Sequence, residues 1–115
     1  MSLTTEISTM LSTISNVFIG SMPTTPDNSV CIYNTGGFPR GLTESKLECP
    51  TFQIRVRNTS YPTGAAQCDT IKDLLHGKST TKILAIFQMG DVLDVGRDSN
   101  NRPEFTINFQ VYYKR

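Results

Sequence analysis

The chain is predicted to fold as one α+β domain, an antiparallel or mixed sheet with two helices packed on one face, in the order α-β-β-α-β-β. Three observations carry this. Two segments repeat apolar residues at three-and-four spacing, which lays a stripe along a helix. Other segments alternate or run apolar over strand lengths. At 115 residues, with no repeat or linker, the chain has the size of a single domain (1–115), large enough to bury a core without metal or disulfide staples.

The first helix is read from Leu3, Ile7, Met10, Leu11, Ile14, Val17 and Phe18, with Thr4 or Thr5 as cap, Glu6 favourable to the dipole and Gly20 as its end. Its opposite face, Thr9, Ser12, Thr13 and Asn16, is polar and uncharged. "SMPTTPDNS" carries two prolines and reads as a loop. Val30–Asn34 is a short strand and "TGGFPRG" a turn, while Leu42–Cys49 shows no period and reads as irregular. In Pro50–Asn58, Phe52, Ile54 and Val56 point one way and Gln53, Arg55 and Arg57 the other.

"SYPTGAAQCDTIKDLLHG" forms the second helix, with Pro62 at an early position and Gly77 just past the end. Ala65, Cys68, Ile71, Leu74 and Leu75 make its stripe, the small Ala65 and Ala66 permit close approach to a sheet, and Asp69 and Lys72 can pair. Lys82–Gly96 is a strand whose run from Ile83 to Phe87 suggests burial on both faces, with Gly90 at a bend or bulge. "RDSNNRP" turns the chain, since Asn tolerates left-handed dihedrals. The last strand alternates without a fault, Phe105, Ile107, Phe109, Val111 and Tyr113 forming its core face.

Composition narrows the chemistry. Net charge is +1 and the charged fraction 18%, which argues against an electrostatic grip on nucleic acid or anionic lipid as the main activity. Cys31, Cys49 and Cys68 are odd in number and lack a CxxC, so they read as reduced thiols of a cytosolically made protein rather than a disulfide or zinc framework. "MSLTTEISTML" has no basic, apolar leader pattern, and no run approaches the ~20 apolar residues of a membrane span. The sequon at Asn58 reads as chance. His76, the single histidine, sits in the last turn of a helix, where it suits a capping role better than catalysis. "HGKST" fails as a phosphate loop because Lys72 stands where the first Gly belongs and the segment follows a helix. Asp91, Asp94 and Asp98 lack the Gly and distal Glu of a calcium loop. No catalytic, metal or cofactor site is assigned.

Charge concentrates in two places. Arg55 and Arg57 share one strand face, solvated or turned to a partner or channel, without the interleaved aromatics of a base-stacking platform. Arg97, Asp98, Arg102 and Glu104 crowd the final turn, either a solvated tip or a surface that another protein meets.

Three stretches taken in order resemble the small minor capsid or tail-terminator-like proteins of long-tailed bacteriophages. They are "PDNSVCIYNTGGFP", the strand and helix Pro50–Gly77 with its R-V-R centre and D-L-L-H-G end, and "VGRDSNNRPEFTINFQVYY". The likeness spans most of residues 23–113. It implies a virion structural protein, made in the host cytoplasm, without catalytic residues or cofactor. Copies would close, commonly sixfold, into a ring at the head-proximal end of the tail. That ring would stop growth of the tail tube, meet the head connector and allow DNA to pass. Contact candidates are Arg55, Arg57, Asp69, Asp73, Arg97, Asp98, Arg102 and Glu104. The alternatives are a head-completion or stopper protein of the connector and, of another class, a small nucleic-acid-binding regulator.

Overall fold

A computed structural model describes residues 3–38 and 47–114. The elements are α1 (Leu3–Met10), β1 (Val17–Ile19), β2 (Ser29–Phe38), β3 (Leu47–Arg57), α2 (Tyr61–Leu75), β4 (Ile83–Arg97) and β5 (Pro103–Lys114). The order is therefore α-β-β-β-α-β-β, one strand more than the sequence pattern suggested.

The extra strand comes out of the expected first helix. That helix stops at Met10, two further turns carry the chain through Ile14, and Asn16 takes a left-handed φ of 60° that redirects it. Ser12, Thr13, Ser15 and Asn16 are weak helix formers, whereas Val17, Phe18 and Ile19 suit a pleated surface. The helical period persisted because Leu11, Ile14 and Val17 still reach the core from the turn and the strand. Gly20 does not end the helix, and Thr4 and Thr5 lie inside it rather than at its cap.

The sheet runs β1-β2-β3-β5-β4 and is mixed: β1 is parallel to β2, and the other neighbours are antiparallel. Val30 and Ile32 stand opposite Val56 and Ile54, which stand opposite Phe105 and Ile107. These residues and Phe109 share one buried cluster with Ile7 and Leu11 of α1 and Cys68, Ile71 and Leu75 of α2. Phe52 and Phe109 stack across the strands at 5.0 Å. The alternation read in β3 and β5 is thus the alternation of core and second face.

Helix α2 starts where its sequence signals it. Ser60 caps it by accepting from the Thr63 N–H, Pro62 sits in the first turn, and Gly77 follows the end with φ 76°. The closest approach to the sheet is at Gly64, where a Cβ would stand 2.7 Å from Phe105 Cε2; Ala65 packs against the core beside it, and Ala66 is exposed. His76 does cap the helix through its backbone N–H, but its Nδ1 accepts from the Gln88 N–H on β4 instead of serving the helix carbonyls.

Three strand expectations need correction. β2 extends through Thr35–Phe38, in what read as a turn, and β3 begins at Leu47 inside the segment read as irregular. The rest of those segments, residues 39–46, lies outside the described residues. β4 is an edge strand, not one buried on both faces: Leu84 is 51% and Phe87 40% exposed. Its register against β5 shifts at three places, including Met89/Leu93 around Gly90, which has φ 74°. The fifteen residues of β4, about 50 Å if fully extended, account for a molecule 48 Å long and only 24 Å and 22 Å across.

Candidate assembly surface

The eight charged contact candidates fall into three groups. The first is a knot at the β4–β5 hairpin end. Arg57 and Arg102 are 4% and 6% exposed, so both guanidiniums are buried. Arg57 donates through Nε to Asp27 O at 3.0 Å and through Nη2 to Pro26 O at 2.7 Å. Arg102 donates through Nη1 to Thr24 O at 2.7 Å and to Asp27 Oδ1 at 3.0 Å. Its Nε and Nη2 both reach Asp98 Oδ2, at 2.9 and 2.8 Å. Asp98 Oδ1 accepts from the backbone N–H of Asn100 and of Arg102, and Asn101 takes the left-handed φ of 61° that tightens the turn. The Arg102 backbone N–H, seconded by its guanidinium, holds the Asp98 carboxyl below the usual carboxylate range. The two arginines thus fasten the loop between β1 and β2 onto β3 and the hairpin, and most of their donors are used inside the molecule. Arg97 is exposed and donates to Asn101 O.

The second group lies on the sheet face opposite the core. Arg55 and Glu104 pair at 3.3 Å, with side chains 38% and 15% exposed. Their charges cancel, and the neighbours Gln53 and Asn108 hydrogen-bond to each other.

The third joins α2 to the β4 bulge. Lys72 Nζ lies 3.2 Å from Asp69 and 3.6 Å from Asp91, whose carboxylate also accepts from the Val92 N–H. That N–H, ahead of Lys72, keeps the Asp91 carboxyl below its ordinary value. Tyr61 is raised by its hydrogen bond to Asp94. Asp73 is exposed on the same helix. Asp69 and Asp91 thus brace α2 to β4 through Lys72 with both carboxylates largely solvated, and Asp69 and Asp73 remain at the surface.

What sequence reasoning missed is apolar. Among the described residues, Leu84, Phe87, Met89, Leu93 and Val95 stay exposed on β4, Leu93 most of all at 59%. The register sets Phe87 opposite Gln110, Met89 opposite Asn108 and Leu93 opposite Thr106, so these three line the second face of the sheet. Tyr112 stands on the same face, edge-on to Phe87 at 5.7 Å. The apolar run from Ile83 to Phe87 is the signal for this face, although by itself it suggests two-sided burial.

On the helix side, the turn after α1 and the first half of α2 border a groove of about 570 Å³. Its lining, from Thr13 and Asn16 to Gln67 and Thr70, contains no charged residue. Gln67 Oε1, buried at its edge, accepts no hydrogen bond. Cys31 and Cys68 are buried thiols and Cys49 is half-buried; burial pushes Cys68 up to about 12. Among the described residues no group of His, Cys, Asp or Glu is placed to hold a metal, and no helix is long and apolar enough to cross a membrane.

The fold is similar to that of a chain in the "virion of native gene transfer agent (GTA) particle". The TM-score is 0.62 at 11% identity, with 95% of this chain and 84% of that chain covered. No curated protein matches the sequence. The model of the bacteriophage tail terminator proteins matches residues 4–115, nearly the whole length. The chain therefore belongs to the bacteriophage tail terminator family, and is a structural component of the virion tail rather than an enzyme.

Proposed function

We propose that copies of this chain close into a ring, sixfold as the resemblance implies, at the head-proximal end of the tail. There the ring ends growth of the tail tube and offers a face to the head connector. The observation that carries this reading is the family match over residues 4–115. The surface is consistent with it. An edge strand keeps large apolar side chains in water, a condition normally relieved by a protein partner. Head-to-tail contacts between unlike patches close into a ring when the rotation allows. Asp69, Asp73 and Arg97, with exposed side chains, are kept as charged rim contacts that set register. Arg55, Arg57, Asp98, Arg102 and Glu104 serve that ring indirectly, by holding the subunit in shape.

The test is reconstitution. Purified protein added to tail tubes should place a ring at one end of each tube and stop further polymerisation. Binding to tail-less heads with no binding to tubes would replace this reading with that of a head-completion or stopper protein. A nucleic-acid regulator finds little support in Arg57 and Arg102, which donate to Asp27, Pro26, Thr24 and Asp98, or in Arg55, whose charge is paired with Glu104.

A further inference from the structure

Helix α2 is clasped to β4 at three places, in antiparallel order. Tyr61 hydrogen-bonds to Asp94, Lys72 reaches Asp91, and at the far end the Gln88 N–H donates to His76 Nδ1 at 3.0 Å. Beside this last clasp the Gly77 N–H donates to Ile86 O at 2.8 Å. Ile86 and Gln88 lie two residues apart on an edge strand. A C=O and an N–H that a further strand would use are therefore taken by the residues just past the helix. The His76 ring also stands edge-on to Phe87, where the exposed apolar ridge of Phe87, Met89 and Leu93 begins.

We propose that His76 is a pH-sensitive latch on the β4 edge: the neutral ring holds the Gln88 N–H, and the protonated ring releases it. The geometry fixes the tautomer. A ring nitrogen that accepts a hydrogen bond carries no proton, so the neutral imidazole bears its hydrogen on Nε2. A proton added at Nδ1 turns the acceptor into a donor and sets it against a second donor. The bond is then lost, and Gln88 is left with an unpaired N–H on the sheet edge, where strand addition begins. Histidine is the side chain that changes charge between about pH 5 and 8, and His76 is the chain's single one. The neighbouring clasp does not follow it. Lys72, raised by its hydrogen bond to Asp69, and Asp91, lowered by the Val92 N–H, keep their charges over that range. The charged groups around the ring are Lys72 and Asp73 on α2 and Lys78 and Lys82 in the turn that follows. Ile83 to Gly90 on β4 carry no charge. On β5, Val111, Gln110 and Phe109 stand opposite Ile86, Phe87 and Gln88, and Tyr112 lies edge-on to Phe87.

The experiment is amide hydrogen exchange by NMR on the full chain at about pH 8 and about pH 5, each rate compared with the unstructured rate at the same pH. Protection of the Gln88 N–H should fall about fivefold or more in acid, the loss of one hydrogen bond. Two variants separate the charge of the ring from its shape. His76→Asn sets an acceptor that does not titrate, Oδ1, where Nδ1 stands, and should keep the protection at both pH values. His76→Ala removes the acceptor and should show the low value at both. Equal protection of Gln88 at the two pH values in the parent chain, the same acid loss in His76→Asn, or full protection in His76→Ala at the higher pH would each overturn the inference. It concerns the free chain, so the ring reading stands or falls separately on reconstitution with tubes.

Discussion

The hairpin end and the β4 ridge have exchanged the roles that their compositions suggest. Arg57, Arg102 and Asp98 look like a charged surface, but the arginines are 4% and 6% exposed and the cluster is bonded within itself and to the β1–β2 loop. The run from Ile83 to Phe87 looks like core, but Leu84 and Phe87 face water, as do Met89, Leu93 and Val95 beyond it. The difference shows that charge marks a partner surface only where its hydrogen-bonding capacity is unspent. A guanidinium with internal acceptors for its donors holds a fold, whereas an apolar side chain in water has nothing to do until something covers it.

That contrast is broken most easily at the knot. Arg57→Ala should destabilise the fold by about 3 kcal/mol, because the carbonyls of Asp27 and Pro26 would lose their buried donors. Urea unfolding measures it; Arg102→Ala should act in the same direction, and Arg97→Ala should change nothing. Reaction of Cys68 with an alkylating reagent would report the same loss, since its thiol is buried and protonated until the chain opens. Next, Gly64→Ala should cost about 1–3 kcal/mol by overpacking against Phe105 and Asn58 on the core side of the sheet.

The acid limb comes third. Asp98 has a lowered pKa in the fold, so its contribution is present above the unfolded carboxylate value of about 3.9 and is lost as pH falls through the lower folded value. Stability should drop below about pH 4, and Asp98→Asn should be less stable at pH 7 but flatter across that acid range. Unfolding midpoints at stepped pH decide it. Smallest of all, Leu93→Asp should change stability by no more than about 0.5 kcal/mol, since the residue is already solvated. A large loss there would return the ridge to the core and erase the contrast.

Legibility in the sequence followed the same division. α2 and β5 were readable from Pro62, Gly77 and the odd-numbered run from Phe105 to Tyr113, because local rules and tertiary burial agree there. β1 was hidden because Leu11, Ile14 and Val17 satisfy a helical period while meeting the core from a turn and a strand. The exposure of β4 was hidden because bulges at Ile83/Ala85 and Met89/Leu93 scramble alternation, and because edge position depends on strand order. At the candidate site, Arg55 and Arg57 were placed correctly on one face, but not their partners. Arg102 meets Asp27 across 75 positions of sequence, and no spacing rule spans that distance.

Oxidative footprinting of Met89 in the free chain and in the completed tail tests the central claim most directly. Met89 is 38% exposed in the monomer, and its sulfur reports the cover over the ridge. The account predicts strong protection in the tail with the knot's peptides unchanged between the two states. Equal oxidation of Met89 in both, with protection appearing instead at the hairpin turn, would contradict it.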